Sequence, residues 1–287
     1  MIQLLLSLFL SFILNSFSQI RTISGELKDI QSKESLGYVN IGIPNKGVGT
    51  VSNSKGEFLI KLNEHINKND TLYFSHIGYK TKKIVLSQLK PRDNIIELVP
   101  ETQQLDEVIV SLKEPKFKRF GRSSKGLGLL HSNFYSYHEK EVDDRLSKEM
   151  GMKFKAKKDC KLSDLNFYIT TNDFKSLKFR INFYNIENGL PADIIVDKDI
   201  IFEIKDNYRG WHKVDLAAYN IYVDKELEEF AVTIQWVESV KTKESSKYFA
   251  LSVAKSLEND FLYREKTMDR WNKSGMSLSF YLNSMCQ

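Results

Sequence analysis

From Ile20 onward the chain repeats one pattern: short stretches in which Ile, Val, Phe and Tyr alternate with polar residues, cut by clusters of Gly, Asn, Asp and Lys. A period of two places successive side chains on opposite faces of an extended strand, and the interrupting residues supply turns. Seven such stretches follow closely on one another: residues 20–27, 38–43, 49–52, 57–62, 71–76, 82–86 and 95–99. Their density predicts a small seven-stranded β-sandwich. A second series, 150–156, 162–169, 177–184, 200–203, 211–215, 230–237, 248–252 and 278–282, has longer connections and predicts a jelly-roll-like sandwich. The expected fold class is all-β, one sandwich after the other.

A chain of 287 residues can build two cores of ordinary size. The expected organisation is a signal peptide over 1–19, a first sandwich over 20–100, a linker over 101–126 and a second sandwich over 127–287. Residues 1–19 are apolar, carry no charged side chain and end on Ser16, Phe17 and Ser18, the small-x-small shape of a cleavage site before Gln19. Their apolar core, residues 4–14, is shorter than the ~20 residues a membrane-spanning helix needs. No later stretch is apolar enough to span. The mature chain is therefore expected to be exported, in the periplasm or associated with the outer membrane or cell surface.

The net charge of +5 is spread along the sequence, and its densest basic stretch, 113–125, reads as solvated linker. Nucleic-acid binders concentrate their charge in a stripe, so no nucleic-acid partner is expected. Cys160 and Cys286 are the two cysteines. Export would permit a disulfide between them, two buried free thiols would serve as well, and neither has metal-site spacing.

The sharpest local feature runs from Gly49 to Ile60. Asn53, Ser54, Lys55 and Gly56 can form a turn in which the amide side chain bonds local backbone and Gly56 takes a positive φ, returning the chain as an antiparallel strand. Phe58 and Ile60 then face the core, while Glu57, Leu59 and Lys61 face away. With the leading strand through Ser24 and Gly25 and the corner at Ile77, Gly78 and Tyr79, this segment resembles the carboxypeptidase regulatory-like family, a transthyretin-like β-sandwich found in Bacteroidota proteins. The resemblance covers about residues 20–99 and implies a folding role for Gly25, Gly49, Gly56, Gly78 and Tyr79, with no catalytic residues. Asp106 to Val110 is similar to the segment contacted by the energising TonB protein in outer-membrane transporters. Too little chain follows for a large barrel, so a closing edge strand is the simpler reading.

The second series loosely resembles galactose-binding-type jelly rolls in its order and alternation. His138 and Glu141, with His212 further on, imitate the spacing of a zinc carboxypeptidase site. They sit in a strand-rich context with no α/β catalytic domain, and His65, His76 and His131 lack partners at ligand spacing. No nucleophile elbow, phosphate loop or dinucleotide fingerprint is present. The expectation is no catalytic residue, no metal and no cofactor.

A sugar site would need aromatic platforms beside amide or acidic groups. Trp271, Trp211, Trp236 and Tyr208 are the candidates, Trp271 because it lies in a polar segment. Trp211 and Trp236 have core packing as their competing assignment. The expected function is a non-catalytic envelope protein that binds a carbohydrate or another envelope protein. The alternatives are an accessory structural component of an outer-membrane complex and a hydrolase hidden in the C-terminal domain.

Overall fold

The structure, a computed structural model, describes residues 21–101, 114–126, 130–136, 139–258 and 260–287. Residues 1–19, the segment from Asp106 to Val110 and His138 lie outside them. Among the described residues no helix is long and apolar enough to cross a membrane.

The N-terminal sandwich is built from β1 (Arg21–Asp29), β2 (Asn40–Ile43), β3 (Val48–Val51), β4 (Glu57–Leu62), β5 (Thr71–Ser75), β6 (Lys82–Val85) and β7 (Asn94–Leu98). These are the seven expected strands, each within two residues at its ends. One sheet has the order β4-β1-β7, with β1 antiparallel to β4 and parallel to β7, and the other has the order β3-β2-β5-β6. Ile23, Leu27, Ile41, Phe58, Ile60, Leu72, Phe74, Ile96 and Leu98 close the core between them. Alternation on β4 is complete: Phe58, Ile60 and Leu62 are buried, whereas Leu59 is 53% exposed.

The turn before β4 forms as its sequence requires but does a different job. Asn53 Oδ1 accepts from the backbone of Lys55 and Glu57 at 2.9 and 3.0 Å, and Gly56 has φ +78°. A side chain there would put Cβ 2.7 Å from the Leu27 carbonyl oxygen. β3 nevertheless pairs with β2 and β4 with β1. The expected antiparallel hairpin is thus a crossing that hands the chain from one sheet to the other. Local residues encode the turn, while the partners of its arms are set by the core.

The C-terminal sandwich begins earlier than expected. It comprises β8 (Lys116–Gly121), β9 (His131–Asn133), β10 (Glu149–Lys155), β11 (Cys160–Asn172), β12 (Phe174–Glu187), β13 (Leu190–Ile194), β14 (Ile200–Lys205), β15 (Gly210–Asp215), β16 (Tyr222–Val223), β17 (Glu229–Lys241), β18 (Phe249–Lys255), β19 (Phe261–Arg264), β20 (Asn272–Ser274), β21 (Met276–Leu278) and β22 (Phe280–Cys286). β8 lies inside the stretch assigned to a solvated linker. It pairs with β22 from Gly121↔Tyr281 to Lys116↔Cys286 and buries Phe120, which is why this basic segment is ordered.

One sheet runs β13-β12-β17-β10-β19-β20, with β14 also on β12. The other runs β21-β18-β11-β22-β8, with β15 and β16 on β11 and β9 on β18. Phe134, Phe167, Phe179, Phe230, Trp236, Phe249 and Phe280 fill the space between the sheets. Fully burying one such ring contributes roughly 1.5–3 kcal/mol, so this aromatic interior dominates the domain's stability. A disulfide joins Cys160 on β11 to Cys286 on β22, residues directly opposite in the ladder. Of the two possibilities left by the sequence, the structure has the paired form.

The two sandwiches dock closely. A Cβ on Gly42 or Gly49 would come within 2.9 and 3.0 Å of the Thr267 carbonyl oxygen, so glycine at both positions lets that segment lie against the β2–β3 pair. Beside this approach Arg180 donates to the Tyr38 carbonyl at 2.7 Å and to Asp199 at 2.5 Å. Gln235 donates to Asn40 at 2.9 Å, and the Tyr38 hydroxyl donates to Glu238 at 2.8 Å. Lys61 meets Asp144 at 2.6 Å.

Candidate ligand-binding face

Three places concentrate polar and aromatic groups: the seam between the domains, a buried carboxylate under Trp271, and the outer face of the sheet that contains β11. Their chemistry separates them.

The seam holds a cleft of about 760 Å³, lined by Gly49, Leu59, Lys61, Asp144, Glu238 and Lys266 among others. Most of its charges are already engaged. Asp144 holds Lys61, the Lys266 ammonium donates to the Asp144 and Leu146 carbonyls, and Lys178 meets Glu238 at 2.7 Å. Nearby, Arg145 pairs with Glu139 at 2.9 Å. Burial pushes the Lys266 ammonium down to about 8 despite the acids around it. These groups tie β4 and the Lys266 segment to the 3₁₀ turn Val142–Arg145, and β12 to β17, which makes the cleft a structural junction.

At the second place Glu149 on β10 is fully buried. One of its oxygens accepts from Asn182 at 2.8 Å, from Tyr184 at 3.0 Å and from Thr233, while the other takes two bonds from Arg264 at 2.9 and 2.6 Å. A carboxylate so completely satisfied is a packing element. Trp271 lies half-buried over it, with the Arg264 guanidinium 4.4 Å from its ring and Tyr184 edge-on at 5.5 Å. The exposed platform expected at Trp271 is instead a lid on this ion pair, because a buried arginine offers the ring a better contact than water does.

Trp236 is fully enclosed, with Phe134, Phe174, Phe179 and Phe249 around its ring. It is withdrawn as a ligand platform. β17 lies inside its sheet and turns this position toward the interior. His212 is also inward, among Phe167 and Phe202, and burial holds its imidazole below the ordinary range. Glu141 is spent in a reciprocal cap with Asp144. Of the imitation zinc set, these two residues serve packing and capping.

The third place collects what the sequence could not join. On β15, Trp211 points opposite to His212 and lies half-buried on the outer face, where Tyr168 of β11 meets it edge-on at 5.4 Å and Tyr281 of β22 at 5.1 Å. Tyr168 sits across the ladder from Trp211, and Tyr281 across from Asn166. Tyr208, 44% exposed, donates its hydroxyl to the Trp211 carbonyl at 2.6 Å. Beside this row Asp164 accepts from Asn166, from Asn283 at 2.8 Å and lies 3.5 Å from Lys213. Arg119 Nε donates to Asn283 at 3.0 Å, and its guanidinium covers Tyr281 at 4.6 Å.

Five neighbouring groups, Asp164, Asn166, Asn283, Lys213 and Arg119, thus hold one another in fixed orientations around three rings. The arrangement presents apolar ring surface next to Asn283, Lys213 and Arg119, while Asp164 and Asn166, themselves buried at 7% and 5% exposure, brace Asn283 and Lys213. One of the three rings, Trp211, and the adjoining Tyr208 were expected from sequence. Tyr168, Tyr281 and the amide and acid groups were missed, and their outward parity on β11 and β22 is the signal that could have found them once the register was known.

No curated protein matches the chain. Among solved structures, the cysteine protease and lectin-like domains of Cwp84, a surface layer associated protein of Clostridium difficile, align at 9% identity and a TM-score of 0.41. That alignment covers 88% of this chain and 59% of the other, so the chain spans little over half of that structure. A putative carbohydrate binding protein from Bacteroides uniformis aligns at 12% identity, 90% and 97% coverage and a TM-score of 0.20. The structure of infectious bursal disease virus Gx strain aligns at 10% identity, 92% and 55% coverage and a TM-score of 0.24. At such scores these likenesses transfer no function. Residues 23–110, a range that includes the strands of the N-terminal sandwich from Ile23 onward, match the CarboxypepD_reg-like domain.

Proposed function

We propose that this is a non-catalytic, exported cell-envelope protein that binds a glycan on the outer face of its C-terminal sandwich. The row of Trp211, Tyr168 and Tyr281 across three adjacent strands, bordered by Asn283, Lys213 and Arg119, carries the reading. Pyranose rings have apolar faces that stack on aromatic surface and hydroxyls that need paired donors and acceptors. This face offers both on a rigid sheet. Two antiparallel sheets packed face to face are also a common lectin architecture.

Export is supported by two independent features. Residues 1–19 have the composition of a cleavable leader, and the Cys160–Cys286 disulfide suits an oxidising compartment. In this reading the N-terminal sandwich is a docking module held rigidly to the binding module. Its seat against that module comes from the Gly42 and Gly49 approach and the Arg180 and Tyr38 bonds.

The test is a glycan array with the full oxidised chain, followed by calorimetric titration of the best ligand. Trp211→Ala and Tyr281→Ala are expected to weaken binding by at least ~10-fold, about 1.4 kcal/mol each. Trp271→Ala should leave it unchanged. Absence of any bound glycan, or equal binding by all four proteins, removes the proposal.

A further inference from the structure

The glycan face ends on a strand with unusual charge. β8 is the last strand of its sheet, and it carries Lys116, Lys118 and Arg119 together with Phe117, which is 61% exposed. Its parity divides these groups. Phe117 and Arg119 share the outer face with Tyr281, whereas Lys118 turns to the side of Phe120, its ammonium 4.4 Å from that ring.

Around this edge runs a groove of about 580 Å³, lined by Lys118, Arg122, Lys153, Lys155 and Lys157, with Glu258 and Asp260 as its acids. Of the two acids Asp260 is paired, while Glu258 makes no ion pair among the described residues. Asp260 lies 3.6 Å from Lys153, which also meets Glu229 at 2.8 Å, and Glu258 sits close enough to Asp260 to raise its carboxyl further above the ordinary range, beyond what burial does. Asp159, next along the chain, faces Lys225. Arg122 is spent on the carbonyls of Ser124, Ser277 and Leu278.

Lys116, Lys118, Lys155, Lys157 and Lys158 are left without an ion pair among the described residues. Lys118 is pushed below the ordinary lysine range, first by burial and then by the charges of Lys157 and Lys158. Elsewhere on the domain Lys213 and Lys225 have carboxylate partners, while Lys175, Lys243 and Lys273 stand singly, so what distinguishes this edge is that several unpaired lysines gather there among the described residues. Uncompensated like charges on one edge cost stability, and an anion placed among them would recover it.

We infer that the ligand is an anionic glycan: its sugar rings cross the Trp211, Tyr168 and Tyr281 row, and its carboxylate, sulfate or phosphate groups meet Arg119 and the lysines of the β8 edge. This rests on the sugar-binding reading of the outer face and adds the substrate class. On the outer face the path is continuous as far as Arg119, because Tyr168, Tyr281 and Arg119 stand on adjacent strands, β11, β22 and β8, and Arg119 also lines the groove that holds Lys118, Lys155 and Lys157 around the edge. From β15 to β8 it spans three strand spacings, ~14 Å, the reach of a short oligosaccharide. Apolar exposure at this edge amounts to Phe117, Met285 and, between the groove residues Ser256 and Glu258, Leu257, too little for insertion into a bilayer. The cations adjoin a row built of amides and rings on a sheet, with no protruding element among the described residues to follow a nucleic-acid groove.

The test uses the full oxidised chain and two matched probes, an oligogalacturonate and the same oligomer with its carboxyls reduced, plus a sulfated oligosaccharide, single-stranded DNA and anionic lipid vesicles. The acidic oligomer should bind at least ~10-fold tighter than the neutral one, with the difference shrinking as salt rises. Lys157→Glu/Lys158→Glu, both exposed, and separately the milder Lys118→Gln should abolish or reduce that difference while neutral binding persists. Trp211→Ala should weaken both oligomers.

Equal binding of acidic and neutral oligomers, unaffected by the lysine variants, overturns the anionic class and leaves the sugar face standing. Lysine-dependent binding that ignores Trp211→Ala, or binds DNA or vesicles as tightly, means a general polycationic edge and overturns the inference. No anion dependence with aggregation of the lysine variants means the charges only keep an edge strand from pairing, and overturns it too.

Discussion

The two sandwiches use their outward residues differently. In the N-terminal domain the outward polar groups serve the fold itself: Asn53 closes the turn before β4, and the Tyr79 hydroxyl donates to Asp29 at 2.9 Å, which also accepts from the backbone of Gln31 and Ser32. In the C-terminal domain the fold is secured from within, by an aromatic interior and a disulfide. Its outer face therefore carries an aromatic and polar array that no turn or cap requires. The difference teaches where to seek function. A family resemblance in the first domain explains architecture, and the second has surface chemistry to spare.

The comparison breaks most visibly at the disulfide. Closing a 126-residue separation constrains the unfolded chain by roughly 5 kcal/mol in the chain-entropy model. Cys160→Ala/Cys286→Ala should lower the unfolding free energy by several kcal/mol in denaturant titration, with the loss confined to the C-terminal sandwich. Equal loss from both domains would mean that docking makes them a single cooperative unit.

Two tryptophans sharpen it next. Trp236→Ala leaves a cavity among four aromatic rings and should cost ~3–5 kcal/mol. Trp211→Ala, half-buried outside, should cost about 1 kcal/mol or less while removing ligand affinity. Thermal melts of the two variants measure this, and similar losses would place Trp211 in the core account.

The smallest effect is that of pH. Burial lowers the imidazoles of His76, beside Asp199 and Arg180 at the seam, and of His212 in the second core. Both have folded values below their unfolded one of about 6.5. Stability is then full above that pH and is lost as pH falls through the folded values, because the unfolded chain takes up protons first. Melting temperatures from pH 7.5 to 5 should fall, and His76→Gln should flatten part of the decline. An unchanged slope would remove His76 from it.

Much of the first domain was legible because its strands alternate and are bounded by turn residues that act locally. The crossing at Asn53 was not, since a turn does not name its arms' partners. β8 was hidden by its charge: Phe120 alone is buried on a strand otherwise dressed with Lys and Arg. β9 and β20, His-Ser-Asn and Asn-Lys-Ser, have no apolar periodicity at all and exist only because a neighbour supplies the ladder. At the candidate site Trp211 could be read alone, but Tyr168 and Tyr281 reach it through strand pairings distant in sequence. Trp271 misled for the converse reason, as its polar neighbours conceal a buried arginine beneath its ring.

The central claim, that the outer face of the β11 sheet is the binding surface, is tested most directly by hydrogen-exchange footprinting of the full chain with and without saturating acidic oligosaccharide. Slower exchange is predicted on β11, β15, β22 and β8, with the seam around Gly49 and Lys266 unchanged. Protection at the seam with none on those strands would contradict the account.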